Sequence, residues 1–204
     1  MPENDTFGEN DFEILDNDLS YNGFFKIKKL SLRHRLFTGG WSPPLTRELA
    51  DRGHAVGVLL HDPERDAVVL LEQFRVGAMD DEQGPWMLEM VAGMVKEGES
   101  ATEVGLRECL EEAGQQPHSL TPIGRCYLSP GACSERIELF CGEINSTGMD
   151  GMVHGVAEEG EDILVRVLRT EEAFAALDEG RIINAATIIA LQWLKLNLRA
   201  NSSR

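Results

Sequence analysis

The sequence predicts an α/β layered domain preceded by a small antiparallel β-sheet. Apolar, β-forming runs recur from His54 onward, and three helical patterns are interleaved among them. Residues 12–36, in contrast, alternate apolar and polar side chains with the period of a half-exposed strand. The division expected from these signals is residues 1–50 as a β-sheet region and residues 51–204 as the main domain. At 204 residues the chain is long enough to bury a substantial core, and a hydrophobic content of 42% is ordinary for a globular protein.

Residues 1–10 are polar and read as a mobile lead-in. Phe12 and Ile14, then Phe25 and Ile27, then Leu30 and Leu32 alternate with polar partners, and a slip of phase at Lys28 and Lys29 predicts a β-bulge. So small a sheet needs to pack on the main domain or on another subunit. Residues 38–44, with two glycines and two prolines, form a hinge or turn. Residues 46–52 fit either a short helix or an edge strand. Residues 54–61 and 67–74 are β-forming runs joined by Asp62-Pro63-Glu64-Arg65-Asp66, whose Asp-Pro start favours a tight turn, so a hairpin is expected. Residues 77–85 are a polar loop, and 86–92 a short apolar strand leading to Gly93.

Ser100 and Glu103 make an S-x-x-E capping box, and Gly114 can adopt the left-handed conformation that ends a helix, which places a helix over residues 101–113. Its expected core face is Ala101, Val104, Leu106, Cys109, Leu110 and Ala113. Residues 123–128 and 137–144 read as strands around a Ser129-Pro130-Gly131 turn. Residues 145–162 are the longest irregular stretch, glycine-rich and ending Glu158-Glu159-Gly160-Glu161-Asp162; loops of this length are usually functional or disordered. A strand follows over 163–168. Thr170 is expected to cap a helix over 171–179, and Asn184 a final helix ending near Leu198.

With 35 acidic against 19 basic residues, the net charge of −16 argues against binding to nucleic acid or anionic membrane, which basic surfaces attract. Cys109, Cys126, Cys133 and Cys141 lack metal-site spacing and read as reduced thiols, which fits the cytoplasm. The acidic start MPENDTFGENDFE is unlike a secretory signal. The apolar stretch 185–198 is broken by Thr187, Gln192, Lys195 and Asn197 and falls short of a membrane span.

The chemistry concentrates in residues 93–115, GMVKEGESATEVGLRECLEEAGQ. Glu108, Glu111 and Glu112 are neighbours on the helix surface, where like charges cost about 0.2–0.5 kcal/mol per pair. A hard divalent cation removes that penalty, since Mg²⁺ takes oxygen ligands from a few carboxylates, water and substrate phosphates. Arg107 and Glu99 are placed to pair with the cluster. Taken alone, clustered glutamates are more simply a solvated helix face.

The pattern of Gly93, Glu99, Arg107, Glu108, Glu111, Glu112 and Gly114 changes that balance, because it resembles the box of the Nudix family, G-x5-E-x7-R-E-U-x-E-E-x-G-U. Cys109 and Gln115 stand where the box has bulky aliphatic residues (U), and neither is a ligand position. Outside the box the chain is similar to the ADP-ribose pyrophosphatase branch, including a proline past the box, Pro130 in LSPGACSER. The resemblance implies a Nudix α/β/α sandwich with a mixed sheet, and hydrolysis of ADP-ribose to AMP and ribose 5-phosphate. It implies Mg²⁺, or Mn²⁺ in its place, in about two or three ions per site, held by Glu108, Glu112, Glu161 and the Ala92 carbonyl. Glu111 becomes a further ligand or an orienting group. Glu159 becomes the general base, with Glu158 and Glu161 as alternatives.

Gly93, Glu99, Arg107 and Gly114 then shape the motif. Arg75 is a candidate for phosphate or ribose, since a guanidinium fork suits phosphate oxygens. Phe24, Arg47 and Glu48 match positions that hold adenine and ribose, and Ser129 lies next to Pro130 at the substrate. The branch also implies a homodimer with exchange of the N-terminal sheet. Competing readings are a pyrophosphatase for other nucleoside diphosphate sugars, such as GDP-mannose, and a non-catalytic nucleotide-sensing module. Against the last stand the intact box glutamates and the lack of a basic helix.

Overall fold

The computed structural model describes residues 7–202. The first part of the expected mobile lead-in, residues 1–6, therefore lies outside the described residues, whereas Glu9–Asp11 form a 3₁₀ turn.

Two compact units divide the chain, one running up to Gly53 together with Ser129–Glu135, the other comprising His54–Leu128 and the chain from Arg136 onward. The first is a three-stranded antiparallel sheet of β1 (Phe12–Asn22), β2 (Lys26–His34) and β3 (Leu45–Asp51), in that order. The open choice for residues 46–52 thus resolves as an edge strand. The expected bulge at Lys28 and Lys29 is corrected: β2 runs without interruption, and the register shifts fall in β1, between Ile14 and Asp16 and between Leu19 and Tyr21. An extra residue in one strand shifts the phase of its partner's pattern, so the irregularity was legible but assigned to the wrong strand. Asp51 closes this unit, accepting from Lys28 Nζ at 2.7 Å and from Ser134 Oγ at 3.1 Å.

The second unit is built on a mixed sheet. Its strands are β4 (His54–Asp62), β5 (Ala67–Phe74), β6 (Trp86–Glu89), β7 (Val91–Val95), β8 (Ser119–Tyr127), β9 (Arg136–Glu143), β10 (Val153–His154) and β11 (Ile163–Arg169). The order is β10-β11-β5-β4-β9-β8, with β6 paired to β5 and β7 to β4. β4 and β9 run parallel and the other pairs antiparallel. The single apolar strand expected over 86–92 is therefore two strands that part at Met90, because the chain leaves β5 and takes β4 as its partner. Val153–His154 and a 3₁₀ turn at Ala157–Glu159 interrupt the long irregular stretch.

Both faces of the central strands are covered, which is why β4 and β5 read as nearly continuous apolar runs. Val56, Val58 and Leu60 pack with Val104, Cys109 and Ala113 of α1 (Ala101–Ala113). Leu59, Leu70 and Leu139 pack with Ala173 of α2 (Thr170–Asp178) and with Ala190 and Leu191 of α3 (Ala185–Ser202). This is the α/β/α sandwich.

Two helix expectations need correction. Leu110 is 52% exposed, because the core-facing stripe of α1 passes through Val104, Glu108, Cys109 and Glu112 and leaves Leu110 on the far side. Thr170 begins α2 inside the helix; Arg169 holds the cap position, and the buried Thr170 Oγ1 has no hydrogen-bond partner among the described residues. β11 runs directly into α2, and the Thr170 N–H goes to Asp66 O at 2.8 Å, so no capping turn intervenes. Asn184 does cap α3, accepting from Thr187 N at 3.0 Å.

The β4–β5 turn carries a stability prediction. Asp62 is 1% exposed and accepts from Glu64 N, Arg65 N, Ser146 N and Ser146 Oγ at 2.7–3.1 Å, tying the hairpin to the long loop. Burial alone raises its carboxyl pKa, but the hydrogen bonds outweigh burial and hold it below the ordinary value of 3.8. Asp62→Ala strands four donors and is expected to destabilise the protein by about 2–4 kcal/mol at neutral pH. A folded pKa below the unfolded one gives stability that is present above the unfolded pKa and lost as pH falls through the folded value. Denaturant melts of wild type and variant are therefore expected to draw closer below the ordinary carboxylate range; a gap independent of pH contradicts the ionic role.

Candidate active site on helix α1

Local sequence chemistry sets where α1 starts and stops. Ser100 Oγ accepts from Glu103 N at 3.2 Å while the Glu103 carboxylate accepts from Ser100 N at 3.1 Å, so two free N–H groups at the helix start are satisfied reciprocally. Gly114 ends the helix at φ 75°, and the His154 ring packs against it so closely that an added Cβ would fall 2.5 Å from the imidazole. The next residue, Gly155, donates its N–H to Glu111 O at 3.1 Å. The acidic loop is thereby pinned to the end of the box helix.

Glu108 and Glu112 lie one turn apart on the flank of α1 that meets β7, and both are buried. Glu112 Oε2 accepts from Ala92 N at 3.0 Å. Glu108 lies over Gly93, where an added Cβ would come within 2.0 Å of its carboxylate, so only glycine leaves room for it. Arg107 organises the open side, with Nη2 at 2.9 Å from Glu108 Oε1, Nη1 at 2.8 Å from Glu111 Oε2 and Nε at 4.0 Å from Glu99 Oε1. Glu99 also accepts from Lys96 N at 2.9 Å, bracing the loop before the helix.

The electrostatics follow from burial. Glu108 is pushed up to about 7, chiefly by burial, with Arg107 opposing the rise and Glu111 and Glu161 adding to it. Glu112 is pushed up to about 8, again chiefly by burial; the Ala92 N–H and Arg75 oppose, while Glu108 and Glu161 add. Three carboxylates thus share one electrostatic neighbourhood with too little positive charge to compensate them. Oxygen donors with that deficit suit a hard divalent cation.

Among the described residues no three acidic, histidine or cysteine side chains converge as a ready-made metal cage. Each carboxylate instead has its own protein partner: Arg107 for Glu108, Ala92 N for Glu112, and Val156 N for Glu161 at 2.9 Å. The donor chemistry fits a metal, and occupation involves turning these side chains from those partners.

The other expected site residues are distributed as follows. Glu158 and Glu159 are exposed on the 3₁₀ turn, and Glu161, from the same loop, raises the carboxyl pKa values of both Glu108 and Glu112. Arg75, just past β5, is in electrostatic reach of Glu112 and donates through Nε to Glu89 Oε2 at 2.7 Å. Phe24, Arg47, Glu48 and Ser129 all belong to the first unit. Phe24 is 77% exposed and edge-on to Phe25, Arg47 Nη1 donates to Thr46 O at 2.8 Å, and Glu48 is exposed. The Ser129 carbonyl takes the N–H groups of Ala132 and Cys133, closing the turn around Pro130.

Sequence reasoning overlooked Glu89, Gln73 and His154. A lone glutamate inside the apolar run WMLEMVAG was the available signal for the first, since an acidic residue in a buried strand needs partners.

The family model described as NUDIX domain matches residues 51–191. The chain is 48% identical over 195 residues to the ADP-ribose pyrophosphatase of Escherichia coli (strain K12), covering 96% of this chain and 93% of that protein. It is 46% identical over 200 residues to the ADP-ribose pyrophosphatase of Haemophilus influenzae, covering 97% and 92%. Similarity to the GDP-mannose pyrophosphatase of Pectobacterium atrosepticum is lower, 33% over 181 residues, covering 88% and 92%. Among solved structures, one described as an ADP compounds hydrolase superposes with a TM-score of 0.73 over 96% of this chain and 98% of its own, at 17% identity, a likeness of fold.

Proposed function

The chain belongs to the Nudix family, and we propose that it hydrolyses the pyrophosphate bond of ADP-ribose, giving AMP and ribose 5-phosphate. The observation that carries this reading is the pair of buried carboxylates, Glu108 and Glu112, beside the Ala92–Gly93 backbone with the half-buried Glu161 in their electrostatic reach, in a chain most of whose length aligns with ADP-ribose pyrophosphatases. Intact box glutamates support an enzyme over a nucleotide-sensing module.

Glu108, Glu112, Glu161 and the Ala92 carbonyl would hold Mg²⁺, or Mn²⁺ in its place, in about two or three ions per site. Bound there, the ions supply a water of lowered pKa and spread the charge on the pyrophosphate oxygens. Glu159, on its exposed turn, takes the proton from the attacking water and is free to approach bound substrate as the loop closes. The water oxygen forms a bond to one phosphorus, the bridging P–O bond breaks, and each product leaves with a phosphate. Glu111 acts through Arg107, which orients Glu108.

Arg75 offers its Nη donors to the phosphates, supplying locally the attraction that a net charge of −16 denies. Phe24 and Arg47 stack on adenine, Glu48 accepts from ribose, and Ser129 contacts the substrate near Pro130.

The working form is a homodimer that exchanges its N-terminal sheets. Exposed Phe12, Ile14, Leu15, Leu19 and Tyr21 on β1 support this, since such an apolar strand calls for a partner surface. Light scattering is expected to give twice the chain mass of 22.6 kDa; a monomer contradicts it. Four free cysteines support a cytoplasmic location, and thiols that resist alkylation until a reductant is added, in protein denatured directly from cells, would argue against it.

Substrate choice is tested by comparing nucleotide release from ADP-ribose, GDP-mannose and NADH with Mg²⁺ present. ADP-ribose is expected to give the highest kcat/KM by about tenfold or more. Faster GMP release from GDP-mannose transfers the chain to the nucleotide-sugar reading, and binding without turnover of any substrate supports the sensing module.

A further inference from the structure

Glu89 ends β6 with its side chain only 5% exposed, yet it carries a carboxylate. Burying such a group is unfavourable unless donors surround it. Three do so, two from the end of β5 and one from the start of α3: Arg75 Nε at 2.7 Å, Gln73 Nε2 at 3.4 Å and, on the other oxygen, Asn184 Nδ2 at 2.8 Å. Asn184 is itself fixed, because its Oδ1 takes the Thr187 N–H and hydroxyl at the start of α3, while Thr187 Oγ1 accepts from Met90 N at 3.0 Å. The relay therefore runs from the first turn of α3, through the β6–β7 junction, to Arg75.

Arg75 is held at one end only. Its backbone N–H goes to Pro85 O at 2.7 Å and its Nε to Glu89, and the side chain remains 42% exposed, with neither Nη taken by a protein acceptor among the described residues. A carboxylate that engages an arginine through Nε alone orients the guanidinium plane and leaves both terminal nitrogens for a second anion. Such an arrangement removes much of the rotamer freedom that a free arginine loses on binding. We infer that Glu89 is a positioning residue which, braced by Asn184, presents Arg75 as a preoriented fork for a phosphate of the substrate. The inference deepens the pyrophosphatase reading and rests on it for the identity of the anion.

A double-mutant cycle tests it. Glu89→Gln keeps the shape and removes the charge; kcat/KM for ADP-ribose is expected to fall about 10- to 100-fold, mostly through KM. In an Arg75→Ala background the same change is expected to cost less than about twofold, because its effect passes through Arg75. Asn184→Ser keeps an oxygen for the helix start and removes only the donor to Glu89, so it carries the test if Glu89→Gln folds poorly; a smaller loss, likewise absorbed by Arg75→Ala, is expected. Calorimetric titration with inorganic pyrophosphate reads the fork without turnover, so it still decides the matter if the wild type fails to hydrolyse ADP-ribose and the functional reading falls. Equal losses in both backgrounds, unchanged kcat/KM in both single variants, or no pyrophosphate binding by the wild type overturns the inference.

Discussion

Replacing Glu112 with glutamine is expected to lower kcat for ADP-ribose by about a thousandfold or more while leaving the metal-free protein at least as stable as wild type. The two effects have one source. Glu112 is buried against β7, its carboxyl pKa pushed up to about 8 from an ordinary 4.5, so the position is unfavourable for the charge that cation binding requires. A glutamine oxygen can still accept the Ala92 N–H, which removes the repulsion and keeps the hydrogen bond. The sign for pH follows from the raised folded value. Between about 4.5 and 8 the native state holds more protons than the unfolded chain, so wild-type stability falls as pH rises through that window. In chelator, Glu112→Gln is expected to melt with a flatter pH dependence and above wild type at alkaline pH. A variant that loses activity by losing its fold would melt low at every pH.

Gly93→Ala is expected to lower kcat/KM by about a hundredfold with little loss of stability. The new methyl would sit 2.0 Å from the Glu108 carboxylate and 2.3 Å from Cγ, so the carboxylate is the part displaced. The obstructed atoms belong to the far end of a flexible side chain, and Gly93 is an ordinary strand residue opposite Val56, so the backbone has little to resist. Activity with an unchanged melting temperature is the readout; a large drop in melting temperature contradicts the view that this glycine makes room for a functional carboxylate.

Legibility in the sequence tracked how local each cause is. The limits of α1 were readable because Ser100, Glu103 and Gly114 make their contacts within a few residues. Spacing also placed Glu108, Glu111 and Glu112 as neighbours with Arg107 beside them, while the contact of Arg107 with Glu99 appears only in the fold. The division of 86–92 at Met90 was not readable, since it follows from a change of partner between two distant strands. The same holds for Thr170, whose N–H is claimed by Asp66 from the β4–β5 turn. Leu110 was misread because apolarity shows that a residue can face a core, while the stripe that does so is fixed by packing against β4 and β7. Glu89 is the extreme case: its partners Gln73, Arg75 and Asn184 come together only in the folded sheet.

The carboxylates between β7 and α1 are proposed to form a cation-dependent hydrolytic site. The most direct measurement is the initial rate of AMP release from ADP-ribose by wild-type protein, first in chelator and then across a Mg²⁺ titration. No detectable release is expected in chelator, and a saturable rise with Mg²⁺. An equal rate in chelator and at saturating Mg²⁺ would contradict that proposal.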